Sequence, residues 1–111
     1  HCTPQRLSRI LDVFTSPVIA AHMGAYQQWY DVEEYLVGKN IYFDTAFCYA
    51  CMPRGHAQKI VRQHGAHRIL LGSDMPWSST VNNIAFVKSL ELSTSDEAAV
   101  LGGNAARLLS L

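Results

Sequence analysis

The chain has 111 residues and no net charge: nine basic side chains balance nine acidic ones, and 16% of residues are charged against 49% hydrophobic. That balance excludes nucleic acid as the main partner and also a polybasic membrane patch, since both need a cationic surplus. The length suits one compact domain with a real core, but the charged fraction falls short of the ~25% usual in soluble domains, which suggests surface meant for burial.

The start, His1-Cys2-Thr3-Pro4, has neither the basic nor the apolar region of a signal peptide. Thr3 as N-cap and Pro4 at the first helical position then open an amphipathic helix to Phe14, with Leu7, Ile10, Leu11 and Phe14 on one face. The longest uncharged run, Val13 to Tyr30, is interrupted by Pro17, His22, Gly24 and two glutamines, so no membrane span is expected. Within it, Pro17 to Ala21 reads as a first buried strand. A helix over about 28–37 follows and ends at Gly38. Ile41-Tyr42-Phe43 is the second strand and Pro53 to His64 the next helix, closed by Gly65. Arg68 to Leu71 is the third strand. Helices over about 81–90 and 96–109 complete the order, the last broken near Gly102-Gly103-Asn104 and capped by Thr94 or Ser95.

The strands are continuous apolar runs, as expected of parallel strands covered on both faces. Alternation of this kind predicts an α/β fold with about three parallel strands and flanking helices. Three strands alone leave two apolar edges, which natural proteins avoid. Either the chain pairs with another, as a homo-oligomer, or it belongs to a larger sheet.

Each strand ends in an ionisable residue: His22, Asp44 and Asp74. In parallel α/β folds the carboxyl ends of strands line the ligand site. An imidazole followed by Gly24, and a carboxylate between Gly72 and Pro76, are suited to chemistry there. Asp44 reads better as a buried, hydrogen-bonded strand-end carboxylate. Phe47, Tyr49 and Trp77 lie just past strand ends; Phe47 and Trp77 are the candidates for walling a small-molecule substrate.

Ala20-Ala21-His22-Met23-Gly24, Tyr42-Phe43-Asp44-Thr45, Arg68 to Asp74 and the closing Asn104-Ala105 occur in an order and spacing that resembles the amidohydrolase superfamily. The likeness is to its amidohydrolase 2 branch of metal-dependent hydrolases and decarboxylases, and it runs over almost the whole chain. The resemblance implies the C-terminal part of a (β/α)8 TIM barrel, incomplete as a barrel, with these strands as the sixth to eighth. It implies that Asp74 binds a catalytic divalent metal, with zinc expected, and takes a proton from its water. It also implies that His22 is a second metal ligand, a proton-transfer group or a substrate contact. Hydrolysis of a small amide, ester or lactone is the leading expectation, and decarboxylation of an unsaturated or aromatic acid the alternative.

The departures are as informative. A barrel of this type needs about 250 residues, and the family's first-strand H-x-H or E-x-H pair has no counterpart here. His1, against the helix start, is a poor candidate for the fifth-strand ligand. The remaining ligands are expected upstream, and the chain alone is expected to be inactive, or else a truncated fragment stabilised by self-association. Cys48-Tyr49-Ala50-Cys51 could be half a zinc site or a redox pair, but Cys2 and His56 complete no pattern, so structural cysteines are expected. An odd cysteine count fits a reducing, cytoplasmic setting. His56, His64 and His67 read as surface residues near helix ends, Asn104 as a helix cap, and Arg107 as a surface or inter-helix contact.

Overall fold

The computed structural model describes residues 2–111; His1, judged above a poor candidate for a ligand, lies outside them. Three parallel strands, β1 (Ile19–Ala20), β2 (Tyr42–Asp44) and β3 (Ile69–Leu70), pair in sequence order with Ala20 opposite Phe43 and Asp44 opposite Leu70. Helices α1 (Pro4–Ile10), α2 (Trp29–Tyr35), α3 (Arg54–His64), α4 (Thr80–Ser89), α5 (Thr94–Ala98) and α6 (Asn104–Leu108) surround them. The strands are shorter than the apolar runs that announce them, because pairing ends where the chain turns into the strand-exit loops.

Local chemistry sets the helix starts. Thr3 accepts the Arg6 N–H with Pro4 at the first position, as expected. Ser79 caps α4 by accepting the Asn82 N–H at 3.0 Å. For α5 the expected cap is corrected: Ser93, not Thr94 or Ser95, accepts the Asp96 N–H. A wide π-helical turn over Ala99–Gly103, with extended backbone at Gly102, makes the expected break before α6.

The core lies between sheet and helices and includes Met23, Val32, Leu36, Ile41, Phe43, Ile60, Ile69 and Val87, all fully buried. Two expected surface histidines are covered instead, His64 fully and His56 in part. His64 is 4% exposed, stacked on Phe43 at 4.2 Å. Its Nδ1 accepts the Gly38 N–H and its Nε2–H donates to Ile41 O at 2.7 Å, so it fastens the turn after α2 to the start of β2. His56, in the first turn of α3, turns its ring to Glu33 of α2 at 2.6 Å. Of these three histidines only His67 is exposed.

Asn104 is also corrected. It is fully buried and caps no helix; its Nδ2 donates to Ala66 O and Ile69 O, tying α6 to β3. Arg107 does make an inter-element contact, donating to His67 O and Asn104 Oδ1. The two sheet edges differ. Just past β3, Leu71 N–H donates to Val100 O in the turn before α6, and Ile69 and Leu70 are buried. On the β1 side, Ile19 is half exposed.

Candidate active site at the strand ends

Short backbone bonds knit the three strand exits together. Met23 N–H donates to Asp44 O at 2.7 Å, and Thr45 N–H to Leu70 O at 3.0 Å. Gly72 N–H donates to Thr45 Oγ at 3.1 Å. Gly72 is needed there because a Cβ would stand 3.0 Å from Asp44 Cγ and 3.2 Å from Ala46 Cβ.

Three of the four expected site residues share an unusual backbone. His22 after β1, Phe47 after β2 and Asp74 after β3 have φ of 60°, 63° and 59°. Positive φ is uncommon for residues with a Cβ, costs energy, and clusters at sites where the fold over-determines it. Four of the seven such residues described, Met23 included, stand just past strand ends.

His22 is the best-defined group. Its backbone N–H donates to Asp44 Oδ1, which also accepts the Ala46 N–H, both at 3.0 Å. Its ring Nδ1–H donates to Ala46 O at 2.9 Å. That bond fixes the tautomer and leaves Nε2 with its lone pair, the arrangement in which a histidine serves as ligand or proton acceptor. Tyr26 and Phe47 meet the imidazole edge-on, with centroids 5.8 and 6.4 Å away. Asp44, half-buried, thus holds His22 in place; a hydrogen-bonded carboxylate was expected there, its partner was not.

Asp74 is exposed, and its loop turns tightly, with Trp77 N–H donating to Asp74 O at 2.9 Å. Trp77, 77% exposed, joins Phe47, Tyr49 and Met75 around a cavity of about 380 Å³. A second cavity, of about 370 Å³, is lined by His22, Tyr26, Leu7 and Cys2. The structure therefore brings Phe47 to His22 and to Trp77.

Among the described residues, no three His, Cys, Asp or Glu side chains stand close enough to hold a metal ion. His22 and Asp74 are donor types that suit a divalent ion, and no third donor stands with them among the described residues. Cys48 and Cys51 are free thiols without further ligands. Cys48 is fully buried, and burial, then Cys51 and Asp44 nearby, push its thiol far up, which makes it inert.

Tyr26 and Asn83 were not legible as site residues. Tyr26 lies four residues after His22, in the same loop, and that proximity was the available signal. Asn83 is buried in α4 and bonds the Asp74 loop.

The sequence pattern of the family described as amidohydrolase (Amidohydro_2) matches residues 3–111. A comparison with curated proteins gives no significant match. Among solved structures, the chain is similar to a dihydroxybenzoic acid decarboxylase from Polaromonas with bound manganese and the inhibitor 2-nitroresorcinol. The TM-score is 0.72 at 20% identity, covering 97% of this chain and 39% of that one. A 5-carboxyvanillate decarboxylase from Sphingomonas paucimobilis gives 0.70 at 20% identity, covering 95% and 37%. A 2,6-dihydroxybenzoate decarboxylase from Rhizobium gives 0.67 at 17% identity, covering 85% and 34%. The chain therefore spans between a third and two fifths of these solved chains, and its three parallel strands with flanking helices are part of a (β/α)8 barrel.

Proposed function

The chain belongs to the amidohydrolase family that it matches over residues 3–111, and on that premise we propose that it supplies the sixth to eighth βα units of a metal-dependent barrel that decarboxylates an aromatic or unsaturated acid. The observation that carries this reading is the trio His22, Phe47 and Asp74, each at φ near +60° past its own strand. Aromatic walls support decarboxylation over hydrolysis of a lactone or amide: Tyr26, Phe47, Tyr49 and Trp77 all lie at this end and suit a flat ring. The similar solved structures that carry decarboxylase names support it as well.

His22 through Nε2 and Asp74 through its carboxylate would hold the divalent ion, together with ligands on strands this chain does not contain. An imidazole and a carboxylate suit zinc and manganese alike. Once bound, the ion would supply Lewis-acid polarisation of the substrate's oxygens. Phe47 and Trp77 flank the ring and exclude water. As the bond between ring and carboxylate breaks, its electron pair stays on the ring carbon and carbon dioxide leaves. Asp74 would relay to this carbon a proton that it first takes up from water. His22, its ring fixed by Ala46 O, would keep Nε2 aimed at the ion.

Exposed Ile10, Val13, Phe14 and Ile19 all belong to the β1 side, where a preceding strand and helix of the barrel would cover them. The rest of the barrel is therefore the partner we favour over a second copy of this chain, and the free thiols suit a reducing cytoplasm.

The test is a product assay on the polypeptide that carries this segment within a whole barrel. Carbon dioxide released from a hydroxybenzoate without addition of water is the expected result. Water addition to an ester or lactone with no carbon dioxide release would sink it. An Asp74→Asn variant with normal metal content and turnover would refute the role given to Asp74.

A further inference from the structure

We propose that Asn83 is a positioning residue for Asp74, acting by stapling together the two ends of the loop that presents the carboxylate. This rests on the role given to Asp74 above. The loop runs from Ser73 to Ser79, between β3 and α4, and carries Asp74, Met75, Pro76 and Trp77. Asn83 stands in the first turn of α4, fully buried. Its single Nδ2 group reaches Ser79 O at 2.8 Å, Ser78 Oγ at 3.0 Å and, at 3.5 Å, Ser73 O. The short contacts to Ser78 and Ser79 hold the end of the loop, and the longer contact to Ser73 brings its start, next to Asp74, against the same amide.

Two further observations separate this amide from an ordinary buried asparagine. Its Oδ1 is buried without a hydrogen-bond partner. An orphaned acceptor is costly, and an apolar side chain of similar size would avoid the cost. Turning the amide over would give the oxygen no donor from the Ser73 and Ser79 carbonyls and would lose both N–H bonds. What the position keeps, at the expense of the oxygen, is the pair of donors.

The second observation is the backbone they act on. Asp74 sits at φ 59° with a Cβ, a conformation that persists only where its surroundings over-determine it. Inside the loop, Trp77 N–H and Ser78 N–H both converge on Asp74 O, at 2.9 and 3.3 Å. Those two bonds shape the turn from within, and Asn83 anchors it to α4 from outside. The side chain of Asp74 itself is exposed, so no packing holds it. Its backbone sets where the Cα–Cβ bond points, and Asn83 is the one buried side chain among the described residues that bonds this loop.

The test replaces Asn83 by Asp in the whole barrel, an isosteric change that puts oxygen where the donors were. Two readouts are taken: amide hydrogen exchange at Trp77 and Ser78, and steady-state kinetics on a hydroxybenzoate. The expected result is exchange about tenfold faster or more at those two amides, with Phe43 and Ile60 unchanged. Turnover falls with it, kcat dropping about tenfold or more while KM stays within about twofold, because the carboxylate is misplaced and the aromatic walls are not. Unchanged exchange at Trp77 and Ser78, or a freed loop with unchanged kcat, would overturn the proposal.

If Asn83→Asp opens the whole fold, Ser78→Ala decides instead. It removes one of the three acceptors and nothing from the core, and it should move the same two readouts in the same direction by about threefold; no movement in either overturns the proposal. Failure of the Asp74 reading is recognised separately. Asp74→Asn would then leave turnover intact, while the exchange measurement still reports whether Asn83 holds the loop.

Discussion

The carboxylate of Asp44 accepts the backbone N–H of His22 at 3.0 Å, and with the same oxygen the N–H of Ala46. Ala46 O in turn receives the His22 ring Nδ1–H at 2.9 Å. One acidic side chain at the end of β2 thus fixes both backbone and tautomer of a histidine at the end of β1. Asp44→Ala leaves two part-buried donors unsatisfied and should lower stability by about 2 kcal/mol. Asp44→Asn keeps an acceptor oxygen and should cost well under half of that. Chemical denaturation measures both, and equal losses would show that the paired bonds are not what matters.

Gly72 gives a second handle on the same junction. A Cβ there would press on Asp44 Cγ and Ala46 Cβ. Neither neighbour can retreat freely, because Asp44 is held by His22 and Ala46. Gly72→Ala should therefore destabilise by about 1–3 kcal/mol, as overpacking does, and Asp44→Ala should relieve part of it when the two changes are combined. Denaturation midpoints of the double-mutant cycle test this; strict additivity would contradict the contact.

His64 predicts a dependence on pH. Burial, the largest cause, holds its imidazole below the ordinary value, with Arg68 and His67 adding to the effect against the opposing bond to Ile41 O. The neutral ring accepts from Gly38 N–H, which the protonated ring cannot do. The unfolded chain binds the proton more readily, so this contribution is complete above about pH 6.5 and is lost as pH falls below it. Denaturation at pH 7.5 and pH 5 should show the loss, and His64→Gln should flatten it. An unchanged slope in His64→Gln would assign the pH dependence to other groups.

The difference between His64 and His22 shows what the sequence makes legible. His22 follows an apolar run and precedes Gly24, so its place at a strand exit reads directly from local pattern. His64 also precedes a glycine, at the end of a helix, and local pattern says surface. Its burial depends on Gly38 and Ile41, more than twenty residues away, which only the folded chain brings to it. Asn104 misleads in the same way: beside two glycines it looks like a cap, while its real partners, Ala66 and Ile69, lie across the chain. Strands, helices and their order were legible because hydrophobic period and capping are local. The positive φ shared by His22, Phe47 and Asp74 was not, since all three carry a Cβ, and although His and Asp tolerate that backbone better than most they do not announce it.

Trp77 separates a wall of the site from a part of the core. It is 77% exposed and lines the 380 Å³ cavity with Phe47 and Tyr49. Removing so exposed a side chain should change stability by no more than about 0.5 kcal/mol. If it flanks an aromatic substrate, the lost ring contact is worth about 1–1.5 kcal/mol, and KM should rise roughly tenfold. Turnover at saturation should change little, because Trp77 touches neither the departing carboxylate nor the proton. Trp77→Ala is therefore measured in the whole barrel by denaturation and by kinetics on an aromatic acid, with Trp77→Phe expected to restore most of the affinity. A normal KM in Trp77→Ala would remove Trp77 from the site and leave Phe47 as the aromatic wall beside His22.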